Sequence, residues 1–262
     1  MNNCKVIAIA NQKGGVGKTT TTFNLGVGLV RHGKRVLLID FDPQGDLTIC
    51  CGIKANDVIN PNIMTLLQKV VENRSIRPNE GIYCHPEGVN FIPANIKLTR
   101  LGEMLSDYPA KEYALSKYID GVKSNYDYII IDCMPGLGIA TVNAFTAADS
   151  VIIPVQSHYL PLKGMVQLVR TINNVKREFN PKLRIDGILL TLVARNTNLA
   201  YESEMEIRKE FGDKTKIFNA QIPVTVRCAE ISAKSKSIYA YKRRSKAAKA
   251  YNAFTEEVIE LG

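Results

Sequence analysis

Residues 5–20, KVIAIANQKGGVGKTT, constrain this chain more than any other stretch of its 262 residues. An apolar, β-branched run from Lys5 to Ala10 passes into a glycine-rich segment, Asn11 to Thr20, which leads directly into a sequence of helical period. In that helix, Thr19 to Arg31, Phe23, Val27 and Val30 fall at i, i+4 and i+7, and Gly33 ends the pattern. Strand, glycine loop and helix in this order are the context that a phosphate-binding loop demands. Gly14, Gly15 and Gly17 can take backbone angles closed to other residues, so that amide N–H groups converge on phosphate oxygens at a helix N-terminus. Lys18 then supplies a point charge, and Thr19 places a hydroxyl where it can coordinate the Mg²⁺ that bridges the β- and γ-phosphates.

The remainder alternates in the same way. Short apolar runs at Arg35 to Ile39, Val89 to Pro93, Tyr128 to Ile131, Val151 to Val155, Ile185 to Val193 and Lys216 to Ala220 read as strands, with longer helical stretches between them. Most of these runs are hydrophobic throughout, as strands covered on both faces should be. The expected class is α/β, a doubly wound, mostly parallel β-sheet with helices on both faces. Asp46 to Asn90 has no clear period, and no repeat or linker divides the chain, so one domain over residues 1–262 is expected. At 45% hydrophobic and 23% charged residues the composition excludes intrinsic disorder. No run approaches the ~18 apolar residues of a membrane span, which points to a cytoplasmic protein without a membrane partner.

The second strand ends in LLIDFDPQGD, placing Asp40 and Asp42 on either side of Phe41 at the strand's carboxyl edge, where ligands of open α/β sheets sit. The run at Tyr128 delivers Asp132 to the same edge, where an aspartate can hold Mg²⁺ directly or through water. The six cysteines form no CxxC pair and the three histidines are scattered, so neither a zinc site nor histidine-based chemistry is expected. Cys133 reads as a small packed residue, because nothing nearby offers a base to activate it.

The strict GxxxxGK[ST] pattern requires glycine where this chain has Gln12, and a second lysine, Lys13, follows. KGGVGKTT with this additional lysine resembles the deviant Walker A motif of the ParA/MinD group of P-loop ATPases. The segment around Asp40 and Asp42 resembles that group's DxDPQGN switch, and CMPGLG resembles its CPPSLG switch, with Met134 and Gly136 departing from it. TVNAFTAADSVIIPVQ, LTLVARNTNL and IPVTVR extend the likeness to ParA-type chains over essentially the whole length. The resemblance implies a P-loop NTPase fold, ATP and Mg²⁺ as cofactors, and a homodimer closed by ATP, across which Lys13 reaches the partner's phosphates. It also implies that Asp42 positions the attacking water and that Thr19, Asp40 and Asp132 serve the Mg²⁺ region. Lys13, Gly14, Gly15, Val16, Gly17, Lys18, Thr19 and Thr20 would hold the nucleotide, with Pro223 bordering the adenine.

Charge adds a separate clue. The net charge is +9, and the stretch from Arg227 to Lys249 carries eight lysines and arginines against the single Glu230, so one segment makes the chain basic. Ser245 to Leu261 reads as a helix with a buried stripe of Ala247, Tyr251, Phe254, Val258 and Leu261. Lys246 and Lys249 then lie at the positive end of its dipole and Glu256, Glu257 and Glu260 at the negative end, so local helix stability does not explain the arrangement. Small ParA proteins bind DNA nonspecifically through basic residues of the C-terminal third. The resemblance therefore implies double-stranded DNA as a partner, held by Arg227 and by Arg195 beside Asn196, and the charge of the basic segment adds Lys242, Arg243, Arg244 and Lys246. It further implies a ParB-like activator and nucleoid association. The alternative is a MinD-like membrane ATPase, whose anchor is a basic amphipathic C-terminal helix, whereas here EEVIELG is acidic. A cluster-bearing redox carrier and a small-molecule ligase fit the motifs less well.

Overall fold

The computed structural model describes residues 4–54, 59–156, 162–194, 198–212, 215–224 and 234–262. Among these residues eight strands, β1 (Lys5–Ile9), β2 (Val36–Phe41), β3 (Tyr83–Cys84), β4 (Asn90–Ile92), β5 (Tyr128–Cys133), β6 (Ser150–Gln156), β7 (Arg184–Val193) and β8 (Ile217–Pro223), form one sheet. Their order is β3-β4-β2-β5-β1-β6-β7-β8. Every pairing is parallel except that of β3 with β4. Among the described residues the α-helices are α1 (Lys18–Arg31), α2 (Asp46–Cys50), α3 (Ile63–Val71), α4 (Leu101–Met104), α5 (Ala114–Val122), α6 (Ile139–Ala147), α7 (Leu162–Glu178), α8 (Asn198–Phe211), α9 (Ile238–Lys242) and α10 (Lys246–Glu260).

Alternation along each strand divides the interior into two cores. Val6, Ala8, Leu37, Ile39, Ile129 and Ile131 face α3, α5, α6 and α7. Ile7, Ile9, Leu38 and Ile130 face α1, α2, α9 and α10. Both faces are therefore covered, which is why the strands are apolar in succession. The seven strands read from sequence are all present with ends shifted by at most three residues; β3 had no sequence signal, because two residues carry no period.

Within Asp46 to Asn90, where no period was legible, the chain forms α2, α3 and the β3–β4 hairpin. Asn62 and Thr65 close a reciprocal capping box at the start of α3. The stripe read for the C-terminal helix is buried at Ala247, Tyr251, Phe254 and Val258, while Leu261 lies just past the helix and is half-buried. Helix α1 packs tightly on α10. A Cβ on Gly28 would overlap Thr255 Oγ1 and lie 2.8 Å from Tyr239 Oη, so only glycine admits this approach.

Candidate functional site

β1 lies between β5 and β6, and its carboxyl end opens into the glycine loop at the centre of the sheet. Asn11 starts the loop and is buried; its Nδ2 donates to Pro154 O at 2.7 Å and its Oδ1 accepts Lys13 N at 3.0 Å. The far side is pinned by Thr191 of β7, whose hydroxyl donates to Val16 O at 2.8 Å. Gly15 and Gly17 have φ of 72° and 85°, and Gly17 caps α1 in the left-handed region. A Cβ on Gly14 or Gly15 would meet nothing within 4 Å, so the backbone there faces open space.

That space is a cavity of about 410 Å³ lined by Gly14, Gly15, Gly17, Lys18, Thr19, Thr20, Asp42, Gln44, Asp46, Ile49, Cys50 and Pro135. The lining thus brings together the loop, the start of α1 and the segment after β2. Lys13 lies outside it, half-buried, with Nζ 3.4 Å from Gln156 Oε1 at the end of β6. Pro223 ends β8, opposite Val193, and lies outside the cavity as well. Gln44, Asp46, Ile49, Cys50 and Pro135 were not singled out from sequence. The only signal for Gln44 and Asp46 was their place in DPQGD, directly after Asp42.

Asp40 and Asp132 are register partners on β2 and β5 and are both fully buried. Asp40 has both oxygens engaged: Oδ2 accepts Thr48 N at 2.8 Å and Thr48 Oγ1 at 2.6 Å, and Oδ1 accepts Asp42 N at 3.2 Å. It therefore clamps the segment that carries Asp42 and α2. Burial pushes its carboxyl up to about 7, against those hydrogen bonds. Asp132 differs. Thr22 Oγ1 donates to Oδ1 at 3.1 Å, but Oδ2 is buried without a hydrogen-bond partner. Burial and the Asp40 charge push its carboxyl up to about 8, with Thr19, Lys18 and Thr22 opposing.

Lys18 is buried, and its ammonium donates to Lys13 O at 3.1 Å. Burial lowers its pKa, against the pull of Asp132 and Asp42. Asp42 is half-buried; burial raises its carboxyl while the hydrogen bond from Gln44 N, 2.9 Å from Oδ1, opposes. A buried cation without a bound carboxylate, a buried carboxylate oxygen without a donor and a glycine-walled space fit a polyanion together with a divalent cation. No group of three His, Cys, Asp or Glu among the described residues could hold a metal unaided. A Mg²⁺ ion here would share phosphate oxygens with a nucleotide, as this ion commonly does.

Lys242, Arg243, Arg244 and Lys246 are exposed around the junction of α9 and α10, on the side of the sheet that α1 covers. Among the described residues none of the four is in an ion pair. Arg195 and Arg227 lie outside the described residues. The acidic half of α10 needs a correction at Glu257. Its carboxylate accepts Asn219 N at 3.0 Å and Ala220 N at 2.7 Å, satisfying amides of the edge strand β8, so this residue has a structural reason to sit against the helix dipole.

The AAA domain family model matches residues 4–185. The sporulation initiation inhibitor protein Soj of Bacillus subtilis is 42% identical over 258 residues, covering 98% of this chain and 99% of that protein. The chromosome partitioning protein ParA of Caulobacter vibrioides is 38% identical, covering 98% and 95%. Among solved structures, one described as cobyrinic acid a,c-diamide synthase from Mycobacterium smegmatis, with bound ATP analogue and magnesium, superposes with a TM-score of 0.86. It is 34% identical, and the match covers 98% of this chain and 95% of that one. With the glycine loop, its additional lysine and the flanking aspartates in place, the chain belongs to the Soj/ParA family of P-loop ATPases.

Proposed function

We propose that this protein is a single-domain, Mg²⁺-dependent ATPase that partitions DNA: ATP closes a homodimer, the dimer binds duplex DNA nonspecifically, and hydrolysis stimulated by a ParB-like partner releases it. The observation that carries the reading is the charge arrangement at the carboxyl edge, where buried Lys18 and the unpartnered Asp132 Oδ2 flank an open glycine loop in a Soj/ParA-family chain. The exposed cluster Lys242, Arg243, Arg244 and Lys246, without acidic partners among the described residues, supplies the surface for phosphates.

In this reading the loop amides and Lys18 bind the β- and γ-phosphates and neutralise their charge. Thr19 and Asp132 would hold the metal, and Asp40 would support the Mg²⁺ region by fixing the 42–48 segment through Thr48. A Mg²⁺ ion held there would supply Lewis-acid stabilisation of the negative charge on the phosphate oxygens. Asp42 orients the attacking water, its backbone set by Asp40 and its carboxylate by Gln44 N. Lys13 stands outside the cavity, where an ammonium can serve the phosphates of a second subunit. Pro223 borders the base.

Two features of α10 weigh against the MinD-like alternative, whose anchor would be a C-terminal helix with a free apolar face. α10 spends its apolar face on the core, Glu256 and Glu260 are exposed, and no helix among the described residues is long and apolar enough to cross a membrane. Co-sedimentation with duplex DNA and with anionic liposomes, each with ATP, ADP or no nucleotide, tests the proposal. ATP-dependent pelleting with DNA is the expected result. Replacing Lys242, Arg243 and Arg244 by Ala should flatten the slope of log affinity against log salt by a few units. Pelleting with liposomes alone, or DNA binding indifferent to ATP, would overturn the reading.

A further inference from the structure

We infer that α10 carries a second self-association surface, separate from the nucleotide loop, through which two copies of the chain pair with their C-terminal helices antiparallel. One face of this 15-residue helix is spent on the core through Ala247, Tyr251, Phe254 and Val258. Another is left outward: Lys246, Lys249, Ala253, Glu256 and Glu260 are exposed, and Ala250 and Glu257 are half-buried. These residues recur at spacings of three and four, so they lie in one stripe along the helix. With Asn219, Ala220 and Gln221 of the edge strand β8, the stripe walls an open groove of about 630 Å³.

The charges in the stripe are segregated. Both lysines occupy the first turn and all three glutamates the last half, each against the helix dipole. Glu257 is explained by β8 and by Lys216, 3.9 Å away. Lys246, Lys249, Glu256 and Glu260 have no ion-pair partner among the described residues.

Ala253 is the centre of this pattern. Lys246 and Glu260 lie equally far from it in sequence, as do Lys249 and Glu257 and, more closely, Ala250 and Glu256. A two-fold axis at Ala253 therefore sets Lys246 against the partner's Glu260 and Lys249 beside the partner's Glu256, twice over. The alanines at the crossing let the two helices approach. A second copy answers both halves of the stripe, whereas a DNA backbone following the stripe beyond Lys246 would meet Glu256 and Glu260 and be repelled; Lys246, at the edge of the basic cluster, is the one residue for which pairing and DNA compete.

The contact runs along a helix only about 22 Å long, so it falls short of the roughly 800 Å² per partner of a standard interface. It is therefore weak, salt-sensitive and effective mainly between copies already joined elsewhere. Two isologous contacts on different faces, this one and a nucleotide-closed one, would join dimers into larger assemblies.

Sedimentation velocity on the full chain, free of nucleotide and DNA, tests the inference at roughly 50 and 500 mM salt. The expected result is concentration-dependent association at low salt that disappears at high salt. Lys246→Glu with Lys249→Glu should abolish it, as should Glu256→Lys with Glu260→Lys, because each protein then repels itself. Both pairs of changes follow the helix dipole, so folding should survive, and thermal melts check this. An equimolar mixture of the two variants should regain association. Wild-type protein that stays monomeric, a variant that associates as the wild type does, or a mixture that fails to associate would each overturn the inference. Because nucleotide is absent, none of these outcomes depends on the ATPase reading.

Discussion

The two ends of β1 treat buried charge in opposite ways. At the amino end, Lys5 Nζ is 2.9 Å from Asp186 Oδ2 with both side chains almost fully buried. Asp186 also accepts from Ser150 Oγ at 2.7 Å and Arg184 Nε at 2.9 Å. Burial pushes the Asp186 carboxyl up, but those three donors outweigh it and hold it below the ordinary range. At the carboxyl end, Asp132 is as deeply buried and is pushed up to about 8, with Oδ2 unpartnered, while Lys18 rests on a carbonyl. The amino-end cluster is completed by the chain itself and belongs to the fold. The carboxyl-end cluster is incomplete, and burial without compensation is how a ligand site differs from a structural ion pair.

Breaking the amino end should have the largest effect on the fold. Asp186→Ala leaves Lys5 buried and unpaired, at a cost of about 3 to 5 kcal/mol, and should lower the melting temperature by roughly 10 °C. The loss should depend on pH with a definite sign. Asp186 titrates below its ordinary 3.8 when folded, so its contribution is fully present above that value and lost as pH falls through the folded value. Melts of wild type and variant should converge in acid and separate near neutrality; a constant gap would mean that packing, not charge, is lost.

Breaking the carboxyl end should cost binding instead. Lys18→Ala should weaken ATP by roughly 100-fold, about 3 kcal/mol, with the melting temperature of the nucleotide-free protein nearly unchanged. Unaltered ATP affinity would remove the phosphate-loop assignment. Smallest of all is the expected effect of Asp132→Asn on nucleotide-free stability. The change removes a like charge beside Asp40 and retains an oxygen for Thr22, so the melt should stay level or rise slightly. A large drop would place Asp132 with Asp186, among the groups that hold the fold together.

The carboxyl end was legible in sequence and the amino end was not, for a physical reason. A phosphate loop is contiguous: its glycines, Lys18 and Thr19 must follow one strand and open one helix, so their order survives in the sequence. Asp40, Asp42 and Asp132 were readable because each ends an apolar strand run. The Lys5–Asp186 pair joins residues far apart in sequence, and nothing in either segment announces the other. Thr48 was missed because its partner Asp40 lies across a turn into a five-residue helix. Glu257 was read as a charge on the wrong end of a helix, since the β8 amides it satisfies come from another element. Local chemistry is written locally, whereas compensation between distant elements appears only when the chain folds.

Calorimetric titration of ATP into the wild-type protein with and without Mg²⁺ tests most directly whether the carboxyl edge is a charge cluster that a ligand completes. Binding should be saturable and markedly tighter with Mg²⁺, with the metal's contribution lost in Asp132→Asn. Equal affinity with and without Mg²⁺, or no binding at all, would contradict it.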